Sequence, residues 1–211
     1  MADNWLSILR KNRAFAVIRA PKLEMGRQMA LAVAASGMRL IEITWNSDSS
    51  VDLITKLRCE LPDCIIGTGT VLNLQDLELA IDCGAQYIFT PHVDPELIRT
   101  GMAQNIPVIP GALTPTEIVT AWKVGAATVK VFPVQSLGGA NYIKSLQGPL
   151  GHIPLIPTGG VTIDNALQFL SAGAVAVGLS GELFPKALIE AQNWELITQN
   201  AKKLLQTLDV G

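Results

Sequence analysis

The chain is 211 residues long, 49% hydrophobic and 16% charged, which suits one large domain over residues 1–211 with ample material for a core. A net charge of −2 without any run of lysine or arginine argues against a nucleic-acid or anionic-membrane partner, and no apolar stretch reaches the roughly 18 residues of a membrane span. Residues Met1 to Ala20 carry charges throughout and show no signal-peptide core, and the three cysteines, Cys59, Cys64 and Cys83, form no CxxC pair, so a reducing, cytoplasmic location is expected.

Apolar runs alternate with amphipathic stretches along the chain. The candidate strands, in order, are Phe15–Ile18, Leu40–Thr44, Ile65–Thr68, Tyr87–Thr90, Val108–Pro110, Thr128–Phe132, Leu155–Thr158 and Val175–Gly178. Helical periodicity fills the intervals at Met25–Ser36, Val51–Glu60, Leu74–Asp82, Pro95–Gln104, Thr116–Val124, Ala140–Leu146 and Ile163–Ser171. Asp3–Asn12 precedes these units as an extra N-terminal helix closing the bottom, and Trp194–Leu208 reads as the last helix. Eight βα units predict an α/β fold of the (β/α)8 TIM-barrel type; a doubly wound open sheet would alternate in the same way. A weak repeat favours the barrel, because Gly37, Gly84, Gly125 and Gly173 recur at about two-unit spacing as helix C-caps before the even strands. Thr114-Pro115-Thr116-Glu117 predicts a capping box, and Asn73 and Thr162 are candidate caps for two other helices.

In a barrel the chemistry sits at the C-terminal ends of the strands. Lys130, alone among apolar residues in Val129-Lys130-Val131-Phe132-Pro133, is costly to bury as an ammonium. A lysine kept there is expected to work as a neutral amine, the form that attacks ketones to make Schiff bases. Strand alternation turns Lys130 and Glu42 into the lumen while Ile41, Ile43, Val129 and Val131 face the helices. The same two residues would also suit a buried ion pair that only specifies the barrel. Gly159-Gly160 and Gly178-x-Ser180-Gly181 occupy the barrel's phosphate-binding position, where bare backbone amides approach an oxyanion, although simple turns would look alike. Gly67-Thr68-Gly69-Thr70 is either a carboxylate-sized anion loop or a tight turn; it is too short for a Walker motif. Only two histidines, His92 and His152, are present, without HxxxH or clustered carboxylates, so no metal site is expected. His92 is placed equally well at substrate or in a solvated loop, and Trp45 at the site mouth.

These segments resemble the 2-keto-3-deoxy-6-phosphogluconate (KDPG) aldolase / 4-hydroxy-2-oxoglutarate aldolase family over nearly the whole chain. The carriers are Glu42 in Ile-Glu-Ile-Thr, Gly67-Thr-Gly-Thr-Val-Leu72, Thr90-Pro91, Ile109-Pro-Gly111, Val129-Lys-Val-Phe-Pro133, Pro157-Thr-Gly-Gly-Val161 and Gly178-Leu-Ser180. The resemblance implies a class I lyase that cleaves a phosphorylated keto acid to pyruvate and glyceraldehyde 3-phosphate, uses no cofactor and forms a homotrimer. It implies Lys130 as the Schiff-base lysine and Glu42 as the general acid/base. Thr70 and the Gly69 backbone would bind the pyruvyl carboxylate, Pro91 and Phe132 would pack on the pyruvyl methylene, and Gly159, Gly160 and Ser180 would hold the phosphate, with Thr158 and Gly178 beside them.

One departure bears on the substrate. Several KDPG aldolases carry an arginine four residues after the glutamate, where this chain has Asn46 followed by Ser47. Asn46 and Arg19 resemble the 6-phosphogalactonate branch, and Arg19 is expected to supply the missing charge, whereas Thr158 resembles the gluconate branch. 4-Hydroxy-2-oxoglutarate cleavage and oxaloacetate decarboxylation remain open alternatives. So do two other functions, a non-catalytic sugar-phosphate-binding barrel and an isomerase or epimerase that needs no imine.

Overall fold

Short β-branched runs form strands whose two faces are both buried, the pattern of a parallel sheet covered by helices. The computed structural model describes residues 2–209. Its strands are β1 (Ala14–Ile18), β2 (Leu40–Thr44), β3 (Ile65–Gly69), β4 (Ile88–Phe89), β5 (Val108–Ile109), β6 (Gly111–Ala112), β7 (Val129–Val131), β8 (Leu155–Pro157) and β9 (Val177–Leu179). Its helices are α1 (Ala2–Asn12), α2 (Leu23–Ala35), α3 (Ser50–Glu60), α4 (Leu74–Asp82), α5 (Pro95–Ala103), α6 (Pro115–Val124), α7 (Ala140–Leu150), α8 (Ala166–Ser171), α9 (Lys186–Glu190) and α10 (Trp194–Thr207). All the paired strands are parallel, in the orders β5-β4-β3-β2-β1-β9 and β6-β7-β8, so the fold is α/β with a curled sheet.

The anticipated fifth strand is split. Proline has no N–H to give to a ladder, and Pro110 divides β5, which pairs with β4, from β6, which pairs with β7. A bridge between Thr158 and Gly178 links β8 to β9 across the other gap. The last strand begins at Val177 rather than Val175, and the lysine strand is only Val129–Val131. A 3₁₀ turn at Val134–Leu137 and helix α9 add to the sequence-predicted elements.

Alternation separates two apolar cores. Ile41, Ile43, Val129 and Val131 join helix residues such as Leu53, Leu57, Ile118 and Ile143 outside the sheet. Phe15, Val17, Leu40, Tyr87, Phe89, Ile109 and Ile156 fill the inner face together with Trp5 and Leu9 from α1. Helix α1 thus closes that face at the N-terminal ends of the strands: Trp5 Nε1 donates to Thr128 Oγ1 (3.2 Å), and its ring centre lies 5.1 Å from that of Tyr87.

Local signals set the helix ends. Thr114 accepts from the Glu117 amide, and Glu117 returns a carboxylate to the Thr114 amide, with Pro115 in the first turn, which completes the capping box. Asn73 caps α4 by accepting from the Asp76 amide (2.9 Å). Thr162 and Asn165 exchange reciprocal bonds (2.7 and 3.1 Å) ahead of α8, which therefore starts at Ala166 rather than Ile163. Gly37, Gly84, Gly125 and Gly173 have φ of 101°, 94°, 113° and 103°, the left-handed values that helix C-caps require.

Candidate active site

A cavity of about 680 Å³ opens at the C-terminal ends of the strands. Arg19, Glu42, Thr70, Pro91, Lys130, Phe132, Thr158, Gly159, Gly160, Gly178 and Ser180 all line it, although they come from strands spread around the whole sheet. Glu42 is 2% exposed and Lys130 7%, both on the inner face as alternation requires. The Lys130 amide donates to the Pro110 carbonyl (2.9 Å), which fixes the lysine's height in the sheet.

The two charged groups have few compensating partners. Neither the Glu42 carboxylate nor the Lys130 amine takes part in a hydrogen bond or ion pair among the described residues. Lys130 Nζ instead lies 4.8 Å from the centre of the Phe132 ring and 5.6 Å from that of Phe89. Burial lowers the Lys130 pKa from its ordinary 10.5, opposed by the Glu42 charge and reinforced by Arg19. Burial raises the Glu42 pKa above its ordinary 4.5, opposed by Lys130 and Arg19. Both shifts favour the neutral forms, an amine able to attack and a carboxyl group able to donate.

Two glycines give this constellation its space. A Cβ on Gly69 would run into the Glu42 carboxylate, and one on Gly67 into the Tyr87 ring. Gly67 and Gly69 therefore serve as clearance within β3, which runs Ile65–Gly69, one residue past the expected Ile65–Thr68; the expectation of an anion loop or turn over residues 67–69 is corrected. Gly69 abuts Glu42 and is not part of the cavity wall. Only Thr70 faces the cavity, with φ of 64°, unusual for a β-branched residue. Across the cavity, Gly159 and Gly160 have φ of 87° and 89°, and their amides find no acceptor among the described residues. Asn165 Nδ2 donates to the Gly160 carbonyl (3.0 Å) and braces this loop. Two consecutive free amides at such φ values form a concave donor surface suited to an oxyanion. Thr158 Oγ1 is buried beside them without a partner.

Other expectations are corrected. Asn46 is exposed and outside the cavity wall, because the chain turns away after Thr44; Ser47 tucks back, with its Oγ 3.1 Å from Thr44 Oγ1 and accepting from the Ala20 amide (3.0 Å). Trp45 packs against the outer core rather than the mouth. His92 is exposed and does not line the cavity. The sequence reading assigned no role in the site to Val17, Thr44, Val161, Thr162 or Glu182, all of which line it. Inward alternation from Arg19 and Glu42 carries the signal for Val17 and Thr44. Glu182 had none; it sits in the turn after β9, where the Leu183 and Phe184 amides donate to the Ser180 carbonyl. Among the described residues no three His, Cys, Asp or Glu side chains gather as a metal-ligand set.

Comparison with known proteins identifies the family. The family described as KDPG and KHG aldolase matches residues 6–200. The KHG/KDPG aldolase of Escherichia coli K12 is 32% identical over 200 residues, covering 95% of this chain and 94% of that protein. A KDPG aldolase structure from Legionella pneumophila, with pyruvate captured as a covalent carbinolamine, superposes with TM-score 0.87 at 26% identity, covering 94% of this chain and 97% of that one. A native KDPGal structure gives TM-score 0.85 at 30% identity, covering 93% and 94%. Such coverage overturns the non-catalytic alternative, and the chain belongs to the KDPG and KHG aldolase family of lyases.

Proposed function

We propose that this aldolase cleaves 2-keto-3-deoxy-6-phosphogluconate to pyruvate and glyceraldehyde 3-phosphate through an imine on Lys130. The observation that carries the reading is a lone buried amine of lowered proton affinity on the same enclosed face as a carboxyl group of raised affinity. The neutral Lys130 amine adds to the C2 ketone, and loss of water from the carbinolamine gives the iminium. Glu42 moves the protons of that dehydration and accepts the C4 hydroxyl proton, directly or through a water. The C3–C4 bond electrons then pass into the iminium, leaving the pyruvate enamine and the aldehyde. Protonation of the enamine carbon and hydrolysis release pyruvate and regenerate the amine. In this reading Thr70 and Arg19 serve the carboxylate, Pro91 and Phe132 keep the pyruvyl end dry, and the Gly159, Gly160 and Ser180 loops hold the phosphate.

The unpartnered Thr158 hydroxyl favours the gluconate over the galactonate epimer, since the galactonate branch is expected to carry an apolar residue there. 4-Hydroxy-2-oxoglutarate and oxaloacetate are further candidate substrates, because the same iminium stabilises both carbanions. The strand pairings, continued through Pro110 and the Thr158–Gly178 bridge, support a closed (β/α)8 barrel in one domain. Exposed Leu72, Leu79 and Met102, on or beside the neighbouring helices α4 and α5, leave an apolar face for self-association, which we read as the homotrimer the resemblance implies, and we place the enzyme in the cytoplasm without metal or organic cofactor.

Borohydride reduction in the presence of pyruvate tests the imine. Mass spectrometry should find the adduct on Lys130; an adduct on Lys123 or Lys144, or none, refutes the mechanism. Pyruvate release assayed from both C4 epimers decides the substrate.

A further inference from the structure

Three residues lie in one row across the inner face of the sheet. Glu42 on β2 pairs with Gly67 on β3. The Thr68 amide donates to the Tyr87 carbonyl (3.0 Å) and Thr68 pairs with Ile88 on β4, which sets Tyr87 level with Gly67 on the far side. The flanking Ile41, Ile43, Ile66 and Ile88 belong to the outer core, so Glu42, Gly67 and Tyr87 all face inward. Gly67 has no side chain, and the Tyr87 ring lies over it: Cδ2 and Cζ both stand 2.5 Å from where a Cβ would be. Neighbouring strands are about 4.8 Å apart, less than the length of a tyrosine side chain, so the ring reaches from β4 across β3 toward β2.

The hydroxyl at the end of that ring is anomalous. Tyr87 is fully buried, and its Oη has no hydrogen-bond partner among the described residues. Phenylalanine would fill the same apolar space without the cost of a desolvated hydroxyl. Burial and, after it, the Glu42 charge push the phenol well above its ordinary value, so it stays protonated and is available as a donor. The charged groups acting on Glu42 are Lys130 from β7 and Arg19 from the end of β1. The remaining group acting on the phenol is Cys64, whose Sγ already donates to the Met38 carbonyl (3.7 Å). Of the two charged or titratable groups acting on the phenol, Glu42 is the one that shares its face of the sheet.

We propose that Tyr87 is a positioning residue for Glu42, its hydroxyl reaching across Gly67 to donate through one bridging water to the ionised carboxylate, which lies over Gly69. The role of Tyr87 in turnover rests on the reading of Glu42 as the general acid/base; the contact itself does not. A donor to the charged form lowers the carboxyl pKa, so Tyr87 works against the burial that raises it and sets how readily Glu42 releases its proton.

The test is an infrared titration of the free enzyme, following the protonated-carboxyl band that disappears in Glu42→Gln. In Tyr87→Phe the midpoint of that band should rise by about one pH unit, the equivalent of roughly tenfold in proton affinity. The acid limb of the kcat profile should rise with it, while borohydride trapping of pyruvate persists. Fluorinated tyrosine at position 87, a stronger donor on the same frame, should move the midpoint down. A midpoint that neither change moves overturns the inference. A midpoint that moves while Glu42→Gln turns over at the normal rate upholds the contact and refutes the acid/base role of Glu42.

Discussion

At the residue scale the site depends on two groups with few compensating partners, and each carries a measurable consequence. Glu42→Gln should still form the pyruvate imine but turn over about 10²–10⁴-fold more slowly, the usual worth of a positioned acid/base. The same variant reports on stability. Because the folded-state pKa of Glu42 lies above 4.5, folding takes up a proton between that value and the raised one. The residue's contribution is most favourable below 4.5 and is lost as pH rises through the folded pKa. Lys130 has the opposite sense, since a lowered pKa makes its contribution recover as pH rises from the folded value through 10.5. Urea melts at a series of pH values should therefore show the wild type losing stability relative to Glu42→Gln as pH climbs from 4.5. Arg19 is exposed at the cavity wall, so solvent trims its effect, and Arg19→Ala should weaken pyruvate and phosphorylated substrate alike by about tenfold. If only the phosphorylated substrate suffers in binding assays, Arg19 serves the phosphate instead.

At the element scale the division of labour lies between β3 and α1. Strand β3 supplies absence: Gly67 and Gly69 leave the inner face clear for Tyr87 and Glu42. Helix α1 supplies bulk, since Trp5 is 3% exposed and stacks beneath Tyr87. Trp5→Ala should cost about 3–5 kcal/mol of unfolding free energy, as large-to-small core changes do, and denaturant titration measures it. Trp5→Phe should cost much less, losing chiefly the bond to Thr128. A loss no greater for alanine than for phenylalanine would mean that α1 merely covers the inner core without filling it.

At the scale of the whole molecule the cavity is assembled from loops after strands on opposite sides of the sheet, with Lys130, Glu42, Thr70, Gly159 and Gly160 all on its wall. Covalent catalysis by an amine needs no Lewis acid, so prolonged chelation should leave the rate of pyruvate release unchanged. A loss of activity restored by zinc or magnesium would count against the imine mechanism.

Local signals were legible without the fold. Period-two alternation turned Glu42 and Lys130 to one face, the Thr114 box and the four capping glycines punctuated the helices, and the lone lysine of an apolar strand pointed to the cavity. These depend on residues a few positions apart, where backbone geometry alone decides. Residues 67–70 looked like a loop because glycine and threonine favour turns in isolation; only the neighbouring strands show that Gly67 and Gly69 are bare to admit Tyr87 and Glu42. Asn46 and Trp45 looked close to the site because they follow Glu42 in sequence, yet the turn through Ser47 carries them away. Glu182 joins Arg19 on the cavity wall only because the first strand pairs with the last. Sequence spacing determined which way each side chain points along its own element, whereas distances between elements far apart in the chain exist only once the sheet has curled.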